Sequence, residues 1–462
     1  MPQSNPFDGP VVVVGAGVAG LTSALLLQES GAQVIVIEKL SQMGGLARSY
    51  EYDGFVFDVG PHRFHTENPN VGTFLDRVLQ GDATWFPRVS EVYFQGKYYG
   101  WPLKPQNLTQ LPPSLAFKSA IDLAANNFKT YDIDSFENYV LRQYGPTLYE
   151  NFFKGYSEKF LGIHPRETHP DWAKVGLNRA IIDNNLQMQN LSQLLKTTLS
   201  QFKTTDETHF LYPTHGLQQA WDIVAHMFKA RGGQIYAGTG AIMEGDGSKV
   251  TKIWAGDRES FIPAHVIWTA PITLATKQLG IEKPNLDYLG LLIFNVCAEY
   301  DVPREYQWCY YGADDIVFNR VSIPRFFSEK TAPKGTTGLC AEVTCMKDDA
   351  RWNHAERLTD WVVDDLIRVG MLPNRKVVHD VYVERIEDSY PIYHKTYTRE
   401  LEKARIALDK YENLHLAGRT GMFWYNNMDH SIENAMQLCK RLLRNAGRTD
   451  AQEIQLAAGQ SA

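Results

Sequence analysis

The sequence predicts an α/β fold in which a parallel-sheet, dinucleotide-binding domain is interrupted by a mainly helical insertion and by a mixed-sheet domain. Three observations predict it. Val11 to Val14 is four valines in succession, the pattern of a strand buried on both faces. Gly15-Ala-Gly17-Val-Ala-Gly20 follows at once and leads into Ala19 to Ser30, whose apolar residues fall at helical spacing, with Gly31 where a helix stops. Gln33 to Ile37 is a second buried strand and ends in an acid, Glu38. Together these segments make one βαβ unit.

The rest of the chain fills in around that unit. Residues 66–200 read as mostly helical and polar-aromatic, with proline breaks at Pro102, Pro105, Pro112 and Pro113. From about residue 209 the character changes. Tyr212-Pro-Thr-His-Gly216 leads into an amphipathic helix, and Gly232 to Tyr236, Val250 to Trp254 and Val266 to Pro271 read as strands. Strands and helices mix between 288 and 400. Leu414 to Arg419 reads as a last short strand, followed by a helix from Asp429 to Asn445 and a frayed tail from Gly447. The organisation expected is therefore a discontinuous cofactor domain in three parts, 1–65, 209–287 and 401–462. A mainly helical cap at 66–208 and a mixed-sheet substrate domain at 288–400 separate them.

With 462 residues and 44% hydrophobic content, two or three lobes can each bury a core. A net charge of -7 with scattered lysine and arginine gives no footprint for nucleic acid or an anionic membrane surface. Five cysteines without paired spacing fit reduced thiols, not a disulfide framework or a zinc site. Met1 to Pro10 is polar, and no apolar run reaches the roughly 18–20 residues of a membrane helix. The expectation is a soluble, cytoplasmic protein without a membrane span. Its 23 Tyr and 10 Trp suit either a ring-lined pocket or a large core.

The glycine motif carries the first chemistry. Gly15 allows a tight turn, Gly17 lets backbone approach a pyrophosphate, and Gly20 permits close helix–strand packing. The phosphates then meet unpaired N–H groups at the helix start, and Glu38 is placed to accept ribose hydroxyls. A glycine-rich surface turn is the bland alternative, and the strand, helix and acid occurring together argue against it. Met43-Gly-Gly-Leu-Ala-Arg48 separates FAD from a nicotinamide dinucleotide. Gly44 and Gly45 give the backbone room beside the diphosphate, and Arg48 supplies a bidentate cation. The domain expected is thus an FAD-binding one of the glutathione-reductase type. His62 and His65 follow a predicted strand and, taken alone, read as structural loop histidines. Gly418 and Arg419 close the late strand. Tyr425 to His430, with Met428 between, precedes the last helix, whose N-terminus suits the anionic pyrimidine edge of a reduced flavin. An ordinary N-cap at Asn427 or Asp429 is compatible with that reading.

These segments resemble the flavoproteins that include monoamine oxidase and protoporphyrinogen oxidase, and in detail the UDP-galactopyranose mutase family. The resemblance spans Val11 to about Leu443. It rests on GAGVAG, GGLAR, GPHRFHT (60–66), KGYSEKFLG (154–162), FNR (318–320), SYP (389–391) and GRTGMFWYNNMDHS (418–431). It implies that reduced FAD acts as a nucleophile through N5 while a nucleotide sugar is isomerised between pyranose and furanose, without net oxidation. It further implies that His62 lies beside flavin N5, that Phe152 and Tyr156 sandwich a uracil, and that Arg320 grips the pyrophosphate. Tyr390 and Tyr425 would reach the same phosphates, and Asn427 would add a polar contact.

Two positions depart from the family. Its tryptophan beside the sugar falls at Leu161, and its second pyrophosphate arginine falls at Gly176, with Arg179 about one helical turn on. Losing a bidentate arginine on a diphosphate removes ~2 kcal/mol or more of binding. Three readings follow: a mutase-like isomerase of a nucleotide sugar; an FAD-dependent oxidase or dehydrogenase of another small molecule; and a non-catalytic flavin binder. None needs a metal. NAD(P)H or another reductant is an expected partner, since the mutase works only with its flavin reduced. His209, His215, His226, His265, His354, His379, His394 and His415 are dispersed and read as structural or surface residues.

Overall fold

The computed structural model describes residues 5–101, 111–126, 129–173, 209–257 and 259–448. At its centre lies a five-stranded sheet in which every pairing is parallel. Val11–Val14 is the middle strand, flanked by His265–Trp268 on one side and Val34–Ile37 on the other. Leu414–Leu416 and Gln234–Tyr236 form the two edges. The four valines divide by the two-residue strand period. Val11 and Val13 join the core shared with the helices Val18–Glu29, Leu217–Ala230 and Met428–Asn445, while Val12 and Val14 enter a second core with Trp268 and the aromatic residues of the other lobe. The cofactor-type sheet is thus assembled from both ends and the middle of the described chain.

The second sheet has seven strands. Its strand Tyr288–Ala298, second from one edge, is buried at every position and pairs antiparallel with the edge strand Val378–Pro391 and with Thr337–Cys345. Arg320–Ser322, Trp308–Tyr311, Ser90–Phe94 and Lys97–Trp101 continue it outward. Leu292, Phe294 and Val343 project to one face, where Val362 and Leu366 of the helix Thr359–Arg368 cover them. The opposite face carries Ile293, Glu342, Arg320 and Tyr310 in register and looks toward the parallel-sheet lobe. That face is one wall of the site.

The insertion expected to be mostly helical contains three strands: Ala83–Pro87, Ser90–Phe94 and Lys97–Trp101. Gln95 and Gly96, both at positive φ (48° and 77°), make the two-residue turn that folds the last two into a hairpin. The first pairs with His209–Pro213. Helices Pro69–Leu79, Pro113–Asn126, Phe136–Leu148 and Lys154–Leu161 supply the expected helical part. A second correction concerns the late strand, which ends at Leu416. Gly418, at φ 73°, opens a short helical turn, Gly418–Gly421, in place of closing the strand. All five cysteines are buried and unpaired. Among the described residues no helix is long and apolar enough to cross a membrane. Pro102, Pro105, Gly176, Arg179 and the tail from residue 449 lie outside the described residues.

Candidate functional site

The glycine turn behaves as three different glycines. Gly15 stands at φ 99°, where L side chains are strained, and donates its N–H to Ile37 O at 2.8 Å. A β-carbon on Gly20 would overlap the Gly15 carbonyl oxygen, so close helix–strand packing dictates that residue. Gly17 is unlike both. Its backbone is extended (φ -79°), and an added β-carbon would meet only the α-carbon of Gly45, at 3.7 Å. No contact among the described residues demands a glycine there.

The partners of that turn are close by. Gly44, at φ 103°, donates its N–H to Ala16 O at 2.8 Å, which lays the Gly44–Gly45 turn over Gly17. Buried Glu38 accepts the N–H groups of Ala16 (2.6 Å) and Leu40 (2.9 Å), leaving lone pairs on each carboxylate oxygen. Arg48, expected on the diphosphate, donates to Gly45 O at 2.7 Å and to the Tyr50 hydroxyl at 2.7 and 3.0 Å. It braces the glycine turn from behind. At the far end of the cleft the helix Met428–Asn445 begins with buried Met428. Exposed Asn427 is its N-cap and donates its backbone N–H to His430 Nδ1 at 3.3 Å. Gly418 packs so closely on Ala19 that a β-carbon would stand 3.1 Å from the Ala19 β-carbon.

Between the two lobes lies a cluster of charge and rings. His62 sits in the loop after the Phe55–Asp58 strand, held by its N–H to Gly60 O at 2.8 Å. Its Nδ1 is buried without a hydrogen-bond partner. Burial, then the charges of Arg419, Arg320 and Arg63, hold its pKa well below the usual histidine value, so the imidazole is neutral. Arg320 donates to both oxygens of Glu342, at 2.6 and 2.5 Å, and to the Tyr390 hydroxyl at 3.1 Å. The Glu342 side chain is only 2% exposed. Arg419 donates to Asn426 O at 2.5 Å and lies over the Tyr425 ring at 5.0 Å. Tyr390 and Tyr425 meet edge to face at 5.4 Å, and burial pushes the Tyr390 phenol above its ordinary range. His62, Arg320, Tyr390 and Tyr425 are thus brought to one place.

The predicted base sandwich is spread along one wall. Phe152 packs on Phe94 at 4.5 Å, and Tyr156 meets Tyr310 edge to face at 5.5 Å. Sequence reasoning missed Glu342, whose pairing with Arg320 arises only from strand register. It also missed Trp172, stacked on Tyr425 at 5.3 Å and 5.9 Å from Phe160, close to the buried Leu161 that stands at the family's tryptophan position. Arg63 was equally unmarked. His65, by contrast, is exposed and packs on Phe210, in keeping with a structural role.

A family model described as an NAD(P)-binding Rossmann-like domain matches residues 13–78. The chain is 30% identical over 165 residues to a probable UDP-galactopyranose mutase of Klebsiella pneumoniae, covering 34% of this chain and 42% of that protein. It is 30% identical over 168 residues to the dTDP-fucopyranose mutase of Escherichia coli, covering 34% and 43%. The crystal structure of reduced UDP-galactopyranose mutase superposes with a TM-score of 0.82 at 19% identity, covering 96% of both chains. The chain is thus similar to these mutases in sequence over about a third of its length and to a UDP-galactopyranose mutase in fold over nearly all of it. Its fold extends to a protoporphyrinogen oxidase-like structure from Exiguobacterium, with a TM-score of 0.72 at 15% identity over 95% of this chain and 99% of that one. The sequence matches span less than half the length of the two curated mutases, whereas the fold match spans nearly the whole chain.

Proposed function

We propose that the protein is an FAD-dependent enzyme that isomerises a nucleotide sugar in the cleft between the two lobes. The convergence of neutral His62, the Arg320–Glu342–Tyr390 group and Tyr425 beside the open cradle at Gly17 carries this reading. The residues present fit a flavin dinucleotide. Gly17 and Gly45 leave backbone room for a diphosphate, Glu38 retains acceptor capacity for ribose hydroxyls, and His62 Nδ1 is buried without a partner. Reduced FAD supplies a nucleophilic nitrogen that is returned unchanged.

The chain's own residues supply the rest. Arg320, fixed in place by Glu342, presents its remaining N–H groups to a phosphate oxygen. The hydroxyls of Tyr390 and Tyr425 donate to the same anion. The imidazole of His62, held neutral, orients a polar group without adding charge to the cleft. Phe152 and Tyr156 offer flat faces to a base, and Trp172 stacked on Tyr425 excludes water from the floor.

An oxidase or dehydrogenase is the second reading, favoured by buried Leu161 at the position of the family's tryptophan. Turnover separates the two. Protein reduced stoichiometrically with dithionite under anaerobic conditions is mixed with a panel of UDP- and TDP-sugars. Many product molecules per flavin, with the flavin still reduced at the end, are expected of the isomerase. Reaction of the oxidised protein alone, with one bleaching per substrate consumed, would replace this reading with the redox one.

A further inference from the structure

Arg63 enters the reading above only as the third of the charges that keep His62 neutral, yet its own setting is unusual. The residue follows His62, and its guanidinium lies over two rings at once, 4.7 Å from the centre of Phe210 and 4.8 Å from that of Trp308. Its Nη1 donates to Pro61 O at 3.2 Å, and among the described residues it forms no ion pair. Arg320, a neighbour in the same cleft, has Glu342; Arg63 has no such counter-charge. A second guanidinium, Arg88, lies over the same Trp308 ring at 5.4 Å.

The ring between them is itself a donor in want of an acceptor. Trp308 is 1% exposed, and its Nε1–H is buried without a hydrogen-bond partner. Burial and the charge of Arg88 pull the Arg63 guanidinium down to about 10, with Arg320 adding to the effect. Aromatic packing alone does not account for this arrangement. Rings cover part of the guanidinium face, but its N–H edges and the indole N–H still call for acceptors. The Arg63 guanidinium, without an ion pair among the described residues, and the unsatisfied indole N–H of Trp308 thus lie together.

We infer that Arg63 and Trp308, with Arg88 beside them, form an oxyanion subsite, and that the substrate carries a second anionic group held there. Strand register sets the spacing. Tyr310 lies opposite Arg320, and Trp308 is two residues back on the same face of that strand. Two residues of strand advance by roughly 7 Å, about the width of one sugar ring. A nucleotide sugar with its diphosphate at Arg320 and a carboxylate or phosphate on the sugar would reach both. That spacing rests on the pocket reading above; the subsite itself stands whether the reaction is isomerisation or oxidation.

Calorimetric titration of the flavin-loaded protein tests the inference with UDP-galactose and UDP-galacturonate, which differ only in the sugar carboxylate, and with inorganic phosphate and acetate. Wild type is expected to bind UDP-galacturonate at least tenfold more tightly than UDP-galactose. Arg63→Gln should erase that preference without loss of flavin or of UDP-galactose affinity, and Arg63→Lys should retain part of it. Trp308→Phe keeps the ring and removes the N–H, so a several-fold loss confined to the anionic ligand is expected even if Arg63→Gln fails to fold. Should wild type bind neither UDP-sugar, the nucleotide-sugar reading falls, and the phosphate and acetate titrations decide the subsite by whether Arg63→Gln weakens them tenfold. Anion affinity indifferent to both Arg63 and Trp308, or equal loss for the charged and uncharged sugar, overturns the inference.

Discussion

Gly17 and Gly20 belong to one motif, yet substituting them should have opposite consequences. At Gly17 the backbone is already in a region open to any residue, and a β-carbon meets only Gly45 at 3.7 Å, an ordinary van der Waals contact. Gly17→Ala gains roughly 0.4–1 kcal/mol through the unfolded chain and loses a comparable amount because alanine is a poor N-cap, so the apoprotein should stay within about 1 kcal/mol of wild type. The same methyl points into the space argued to hold a diphosphate, and flavin binding should fall by two orders of magnitude or more. Gly20→Ala drives its β-carbon into the Gly15 carbonyl oxygen, and relief requires the helix to move off the strand. That variant should lose several kcal/mol of stability before any question of ligand arises, the scale of backbone strain and overpacking combined. The assay pairs thermal melting of the apoprotein with the ratio of flavin to protein absorbance after reconstitution. Full flavin content in Gly17→Ala would refute the placement of the cofactor. A stable, flavin-loaded Gly20→Ala would refute the packing argument.

Two further predictions concern buried charge. Arg320→Ala leaves the carboxylate of Glu342 buried and unpaired, which should lower stability by about 3–5 kcal/mol, with UDP affinity down by ~1.5–3 kcal/mol and the Arg320→Ala/Glu342→Gln double variant recovering most of the stability. Denaturant midpoints and UDP titrations read both, and an Arg320→Ala protein as stable as wild type would show that the pair is not what anchors that wall. Asp58 accepts hydrogen bonds from Ser49 (2.5 Å), Tyr212 (2.6 Å) and the Leu217 N–H (3.1 Å), but burial dominates and lifts its carboxyl to about 6. Because the folded value lies above the unfolded one near ~3.9, the folded state binds the proton more tightly. Stability from this group is therefore fully present below pH ~4 and is lost, to the extent of roughly 3 kcal/mol, as pH rises through 6. Unfolding midpoints of wild type and Asp58→Asn across pH 4–7 should converge toward one end and diverge at the other. Parallel curves would count against the shift.

The parts of the fold that were legible in the sequence are those encoded over short distances. The valine run, the glycine turn and the acid of the first βαβ unit, and the helix Met428–Asn445, each carry their signal within a dozen or so residues. The hairpin Ser90–Trp101 carried a signal too. Gln95-Gly96 divides two aromatic-rich runs, but the surrounding helical composition masked it. What could not be read lies in register. Glu342 meets Arg320 because their two strands align in the seven-stranded sheet, and no spacing in the chain announces that pairing. Trp172 resembles any core aromatic until Tyr425 is seen stacked upon it. Arg63 looks like an ordinary loop cation, and its importance rests on which groups the fold fails to place beside it.

The order of the parallel sheet has a consequence for how the protein is made. Its central strand, Val11–Val14, emerges first from the ribosome, but its neighbour on one side is His265–Trp268 and the edge beyond that is Leu414–Leu416. Sequence-distant parallel pairing is slow, because long loops must close before any contact rewards them. During synthesis the valine strand must therefore wait, apolar and half-paired, until its second neighbour at His265–Trp268 has been translated, and the sheet stays open at that side until Leu414–Leu416 follows. The helix that abuts Val18–Glu29, Met428–Asn445, arrives later still. Until then the exposed strand is a site at which nascent chains can aggregate. A chain ended ahead of Leu414 would lack both the sheet's edge strand and the helix that packs on Val18–Glu29.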